Sequence, residues 1–395
     1  MGGRVYFSVF AGRRRFLSVL MVYVRPLLDQ KTIDVVHLWD YCRVPSDREY
    51  LRTLADASRG IEIVPAPASD AGARFPNKWK GYYSHYAALL GADDFLIKCD
   101  DDIVFLANLP VLLNVARRDT EGAHLMYYPS VVNNDVSASF QAADGIITDP
   151  EYVLGLRPSR DEGRYSKTPI SDWYNCTRCA EHVHTKFLSG PEQFFTGCLH
   201  EWSVPCRVPI NFFVMRGSAV VTHFGAYAKE QFVDEPYLTA LLTERTSLPS
   251  LIVSDCVAVH FSFGFQHMVN EKEVLDRYRT LAKDTSLQRR LSDKFGGRTL
   301  STACPKSAPA ALLQGKRNLT ANDRPPGKGG GKGKGGGRGG KGVGGKGPGG
   351  KGGGTASRGG AAGRGGIAGR GGRGSPSSGA RKQQQQGHDD GSNAL

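Results

Sequence analysis

The stretch Phe95-Leu96-Ile97-Lys98-Cys99-Asp100-Asp101-Asp102-Ile103-Val104-Phe105-Leu106 decides the reading of this chain. An apolar run of strand length leads into three adjacent aspartates, and a second apolar run follows at once. Three like charges within a few ångströms repel one another, and each resists removal from water. A divalent cation makes such an arrangement favourable, and hard carboxylate oxygens suit Mn²⁺ or Mg²⁺. A solvated acidic turn or helix cap is the plainer alternative, but the apolar flanks on both sides argue against it. In an open parallel sheet, ligands gather beyond the carboxyl ends of strands, which is where these aspartates fall.

Working outward, strand and helix signals alternate. Residues 5–10 (VYFSVF), 35–38 (VVHL), 61–64 and 95–97 read as strands. Residues 16–28 have helical periodicity, Ser46 with Glu49 has capping-box spacing, and Trp79, Tyr82, Tyr83, Tyr86 and Leu90 recur at three- and four-residue steps. This order predicts an α/β fold with a mostly parallel, Rossmann-like sheet flanked by helices. Further on, residues 212–221 (FFVMRGSAVV) read as a strand pair broken at Gly217. Residues 251–263 read as a strong strand carrying His260, and 271–291 as one charged amphipathic helix.

The net charge of +13 is a property of one end. Residues 324–395 hold 14 of the 51 Lys and Arg, 31 of the 50 glycines and only two acids. The first 323 residues are left with 37 basic and 36 acidic groups, so the chain as a whole is not a basic nucleic-acid-binding domain. The expected organisation is a folded domain over 1–300, a linker over 301–323 and a disordered Gly/Lys/Arg-rich tail over 324–395, since such composition cannot bury a core. The tail's Arg-Gly-Gly triplets at Arg358, Arg364 and Arg370 suit contact with RNA or anionic surfaces, although aromatic residues are absent there. The longest early apolar run, 16–24, is too short to span a bilayer. The expectation is therefore a cytoplasmic protein, or a Golgi or endoplasmic reticulum one if an N-terminal anchor is missing from the sequence.

The aspartate stretch, with Asp93-Asp94 before it, resembles the DxD region of GT-A glycosyltransferases, and the resemblance extends over roughly residues 4–265. It implies a metal-dependent enzyme that moves a hexosyl group from a nucleotide sugar, a UDP-sugar first among donors, to a glycan, lipid or protein hydroxyl. Carried over, Asp102 is a metal ligand, and Asp100 contacts the ribose or the metal. Asp101 is a further donor-side acid of open role. His260, near the end of an apolar strand, completes the Mn²⁺ (or Mg²⁺) site or is a satisfied core histidine. Asp234 and Glu235 provide the catalytic base of an inverting mechanism or cap a helix whose dipole favours anions. Asp40, Tyr41, Arg43 and Lys78 are donor contacts. Asn133 and Asn134 contact sugar hydroxyls or form a turn.

Other signals stay open. Cys176, Cys179, His182 and His184 could bind zinc, although the spacing fits no common zinc module and a disulfide or free thiols compete with it. Cys99 and Cys256 sit in apolar runs, as buried free thiols do. Asn175-Cys-Thr and Asn318-Leu-Thr are glycosylation sequons only in a secreted chain. A rival reading makes the chain an RNA- or anion-binding protein acting through its tail, with an inert globular scaffold. A nucleotidyl- or phosphotransferase is disfavoured because no Gly-rich phosphate loop occurs in the first 323 residues.

Overall fold

The structure is a computed structural model that describes residues 2–67, 79–149, 173–174, 176–203, 205, 207–227, 229–230, 233–264 and 266–304. The chain divides into two units, Met1–Gly327 and Lys328–Leu395. All described residues belong to the first unit; the tail, Lys78, Cys206 and the sequon asparagines Asn175 and Asn318 lie outside them.

The first unit is mixed α/β, with helices packed on a nine-stranded sheet. Strands β1 (Val5–Ala11), β2 (Val35–Asp40), β3 (Ile61–Pro65) and β4 (Phe95–Asp100) are mutually parallel in the order β3-β2-β1-β4. They are joined through α1 (Arg14–Asp29), α2 (Pro45–Asp56) and α3 (Lys80–Leu89). Beyond β4 the sheet turns mixed. β8 (Phe212–Arg216) runs antiparallel to β4 and to β6 (Tyr127–Val132). β9 (Ser250–His260) is parallel to β6 but antiparallel to β5 (Ile103–Ala107) and to β7 (Leu199–Trp202). In the second half only the β6–β9 pair is parallel; the unbroken parallel order read from the sequence holds in the first half. Crossover helices enforce it there, whereas β4 and β5 are separated only by Asp101 and Asp102 and belong to different parts of the sheet.

Strand alternation divides the interior. Phe95, Ile97 and Cys99 point to a core built with α1 and with α4 (Leu109–Arg118). Leu96 points to the other face, an aromatic core of Trp39, Tyr82, Tyr83, Phe224 and Tyr227. Each fully buried aromatic of this second core contributes about 2–3 kcal/mol.

Three local expectations are corrected. The helix at 45–56 begins with Pro45 in its first turn and Val44 as its extended N-cap, so Ser46 is not the cap; proline at this position is pre-organised for a helix start. Gly217 does not separate two strands. It opens α7 (Gly217–Tyr227, following α5, Asp135–Ala143, and α6, Thr177–Ser189), because a Cβ there would lie 1.9 Å from the Gly91 carbonyl oxygen. Packing of Phe224 and Tyr227 against Tyr83 then overrides the strand preference of Val220 and Val221. The single helix expected over 271–291 is two, α8 (Glu271–Lys283) and α9 (Thr285–Phe295). Asp284 ends the first through its backbone N–H, which donates to the Leu281 carbonyl, and its side chain caps the next by accepting from Leu287 N at 3.0 Å.

The C-terminal end of the domain is tied back twice. Cys304 is disulfide-bonded to Cys198 across a sequence separation of 106 residues. Asp255, fully buried in β9, accepts from both Nε and Nη2 of Arg298 and from Gly197 N at 2.8 Å. Arg298→Ala is expected to destabilise the domain by about 3 kcal/mol by stranding that buried carboxylate. Denaturant titration measures it, and a loss below about 1 kcal/mol would show that the pair is dispensable.

Candidate functional site

Register brings the site together. Phe10 pairs with Asp100 and Ala11 with Asp40, so β1, β2 and β4 end level with one another. The Asp101-Asp102 link then turns into β5. Antiparallel pairing sets Ile103 opposite His260, and Phe261 N donates to the Asp102 carbonyl at 2.9 Å. A histidine distant in sequence therefore stands beside the aspartates because β9 returns along β5.

One carboxylate oxygen each from Asp100 and Asp102 and one imidazole nitrogen of His260 lie within 4.8 Å of one another. Asp102 and His260 are nearly fully buried, with Nε2 3.4 Å from Oδ2. Arg13 Nη2 lies 3.0 Å from the same Oδ2. Burial alone would raise the Asp102 carboxyl, but His260 and Arg13 outweigh it and hold the group well below the usual carboxylate range. Its other oxygen, Oδ1, is buried with no hydrogen-bond partner among the described residues. Two carboxylates, one imidazole and an orphaned buried oxygen fit a hard divalent cation.

The neighbours of this cluster are themselves fixed. Asp101 accepts from Gly12 N at 2.9 Å and from Arg13 Nε at 3.0 Å, so its carboxylate is committed to the β1–α1 turn. Asp100 is held by Asn211 Nδ2 at 3.2 Å and by the buried ammonium of Lys98, which also donates to the Ile210 carbonyl at 2.6 Å.

Across a cavity of about 420 Å³ from Asp100 stand Asp234 and Glu235. They open a helical turn (Asp234–Pro236) that continues as a π-helical turn (Tyr237–Leu241), a geometry common at functional positions. Tyr83 OH donates to Asp234 Oδ2 at 2.9 Å, and Arg207 Nε pairs with Glu235 Oε1. Burial raises both carboxyls above their ordinary values, partly offset by Tyr83 and Lys98 at Asp234 and by Arg207 at Glu235. The far wall is aromatic, with Trp79 ring-to-ring at 5.2 Å from Phe10 and 4.8 Å from Tyr41. Trp79 adopts φ 72°, a left-handed conformation costing about 1–2 kcal/mol for a bulky residue, which is the kind of strain that gathers at binding sites. A second cavity, also about 420 Å³, adjoins the first at Arg13 and Asp100 and is lined by Asp102, His260 and Phe263.

Not every residue expected from the sequence meets here. Tyr41 and Arg43 line the first cavity, but Asp40 is turned to Arg48 Nε at 2.6 Å and Cys42 N at 3.1 Å. Asn133 and Asn134 are buried in the interior. Asn133 bonds Phe261 O, Gln266 and Trp173, and Asn134 caps α5 through Val136 N and Ser137 N, both at 3.1 Å. Of the readings left open for Cys176 and Cys179 the disulfide is the one found, the two being bonded to each other, and His184 is spent on Tyr278 OH and the Phe261 carbonyl. Cys99 and Cys256 are free and buried as expected.

The sequence reading missed Arg13, Lys98, Asn211 and Arg207. For Lys98 a signal existed: a lysine inside an apolar strand, two residues before Asp100 and hence on the same face. The other three are brought in by distant pairing.

Fold and site together define a mixed α/β protein with an acid–imidazole cluster at the edge of its sheet. No protein-family model matches the chain, and no curated protein matches it. Among solved structures, GalNAc-T7 with UDP, GalNAc and Mn²⁺ aligns with 81% of this chain at 10% identity and a TM-score of 0.39. The match covers 56% of the GalNAc-T7 chain, little more than half its length. The inositol-1-phosphate CTP transferase from T. maritima aligns with 71% of this chain and 97% of its own at 10% identity and a TM-score of 0.35. An active-site mutant of LgtC aligns over 63% of this chain and 71% of its own at 11% identity and a TM-score of 0.29. At these values the likenesses carry no functional weight, and the function is argued from the site. Among the described residues no helix is long and apolar enough to cross a membrane.

Proposed function

We propose that the chain is a metal-dependent glycosyltransferase that moves a sugar from a nucleotide-sugar donor to an acceptor hydroxyl with inversion. The observation that carries this reading is the convergence of Asp100, Asp102 and His260 where β4, β5 and β9 meet, beside two adjoining cavities, the first of which is also lined by the acids Asp234 and Glu235.

In this reading Asp100, Asp102 and His260 hold Mn²⁺ or Mg²⁺, which when bound neutralises charge building on the leaving diphosphate. Phe10, Tyr41 and Trp79 stack on the nucleotide base, and Arg43 and Arg13 supply cationic contacts to the phosphates. Lys98 and Asn211 fix the Asp100 carboxylate by holding both its oxygens. Asp234 takes the proton from the acceptor hydroxyl. It is preferred to Glu235 because Arg207 neutralises the latter, while Tyr83 orients Asp234 through one oxygen.

Screening nucleotide sugars for Mn²⁺-dependent hydrolysis or transfer by the full chain tests the proposal. Turnover of one donor is the expected result, and silence with all donors would sink it. A chain ending at residue 323 is expected to keep full turnover, because every proposed site residue precedes that point; loss of turnover would show that the tail takes part.

Arg13 occupies ground that a cation would share. Arg13→Gln is therefore expected to enlarge the rise in melting temperature that Mn²⁺ produces, since a competing positive charge on Asp102 is gone. An unchanged or smaller rise in thermal-shift measurements would show that Arg13 and the cation do not compete.

A further inference from the structure

A second group of metal-ligating side chains lies away from the proposed catalytic cleft. One ligand atom each of Asp144, Cys198 and His200 falls within 4.8 Å of the others. Cys198 precedes β7 and His200 sits two residues on, so strand alternation turns both to one side. Asp144 follows α5, and its Oδ2 lies 3.0 Å from His200 Nε2. Cys304 arrives through the C-terminal segment, where Ser301 pairs with the start of β7 (Leu199 N to Ser301 O, 2.9 Å), and closes a disulfide with Cys198.

We propose that reduction of the Cys198–Cys304 disulfide opens a zinc site in which Cys198, Cys304, His200 and Asp144 are the four ligands. A tetrahedral zinc ion with N and O bonds of about 2.0–2.1 Å and S bonds of about 2.3 Å spreads its ligand atoms roughly 3.3–3.8 Å apart. The imidazole and carboxylate already stand close to that separation, and two sulfurs released from their bond relax toward it. The His200 and Asp144 side chains are only 3% and 5% exposed. Asp144 Oδ1 is buried with no hydrogen-bond partner among the described residues, a desolvated acceptor that a cation would satisfy. The surroundings position the ligands: Thr196 Oγ1 bonds Asp144 Oδ2 at 2.9 Å, and the His200 ring stacks on Phe140 at 4.6 Å. Two thiolates, one imidazole and one carboxylate select zinc over the hard cation of the cleft, whose ligand set contains no sulfur. With four protein ligands the site is closed and structural. It would keep residue 304 pinned to β7 when the disulfide cannot.

The chemistry balances. A dithiol reductant gives two electrons to the disulfide and becomes a disulfide itself, leaving Cys198 and Cys304 as thiols. Zinc binding then displaces both thiol protons to solvent and moves no electrons.

The test uses the full chain, reduced anaerobically with a dithiol, desalted and titrated with Co²⁺. One equivalent is expected to give a thiolate-to-cobalt charge-transfer band with the intense visible bands of tetrahedral Co²⁺, all bleached by Zn²⁺. The oxidised protein is expected to show none of these bands. Cys198→Ser and His200→Gln should lose the thiolate band or the tetrahedral spectrum, whereas Cys176→Ser should keep both, excluding the other cysteine pair. Cys304→Ser, at the end of the domain, gives the same loss in a variant whose far-ultraviolet circular dichroism should match that of the wild type. Absence of the band in the reduced wild type, or its survival unchanged in His200→Gln, would overturn the proposal.

Discussion

Asp102→Asn is expected to reduce Mn²⁺-dependent donor turnover by about a thousandfold or more, equivalent to about 4 kcal/mol of transition-state stabilisation. The substitution is nearly isosteric, but it removes the charge that His260 and Arg13 both address and the unpartnered Oδ1 that a cation would take up. Binding of Mn²⁺, followed by the electron paramagnetic resonance of the free ion, should weaken in step with turnover. His260→Gln, which keeps the two aspartates, should show a smaller loss of the same kind.

A structural contribution of Asp102 is separable by its pH dependence. Its carboxyl is held below the usual range in the folded state, so the stability it contributes is present near neutrality and is lost as pH falls through the folded value. Asp102→Asn should therefore be less stable than wild type at pH 7 and approach it in acid. If turnover and Mn²⁺ binding both survive in Asp102→Asn, the cluster is not a metal centre, whatever happens to stability.

Asp234→Asn is expected to lower kcat by about 10²–10⁴-fold with little change in donor binding, the signature of a lost general base. Glu235→Gln should cost less, since Arg207 already neutralises that carboxylate. Burial raises the Asp234 carboxyl, so the acid limb of the wild-type profile should sit above the ordinary aspartate range, with activity rising as the group ionises.

The stability consequence has the opposite sign to that at Asp102. A buried carboxyl whose value is raised on folding costs stability once pH exceeds its unfolded value. Asp234→Asn should therefore be at least as stable as wild type at neutral pH, with Tyr83 still able to donate to the amide oxygen. Loss of kcat in a fully stable variant would isolate the chemical role. Unchanged kcat would move the base elsewhere, with Glu235 tested next.

How much of this was legible beforehand depends on the range over which each feature is set. The strands at 5–10, 35–38, 61–64 and 95–97 were readable because their apolar runs are contiguous and bounded. Asp100 and Asp102 were readable because three adjacent carboxylates after a buried run are anomalous within a few residues. His260 was placed correctly at the end of its strand, but its neighbours could not be known without the return of β9 along β5. Asn133 and Asn134 look like loop residues with free amides. Only packing shows them enclosed by Phe261, Gln266 and Trp173 or spent on the start of α5.

The sequence by itself determined the alternation of strands and helices in the first hundred residues, the acidic cluster at the end of β4 and the concentration of charge in the last seventy or so residues. These are local properties of composition and period. Tertiary structure alone decided that the second half of the sheet runs in mixed directions, that Gly217 starts a helix, and that Cys198 reaches Cys304. It also decided that Arg13, Lys98, Asn211 and Arg207 surround the acids. The physical reason is common to all of these. Strand partners and charge partners far apart in sequence are chosen by which surfaces can be buried together, and no window of neighbouring residues contains that information.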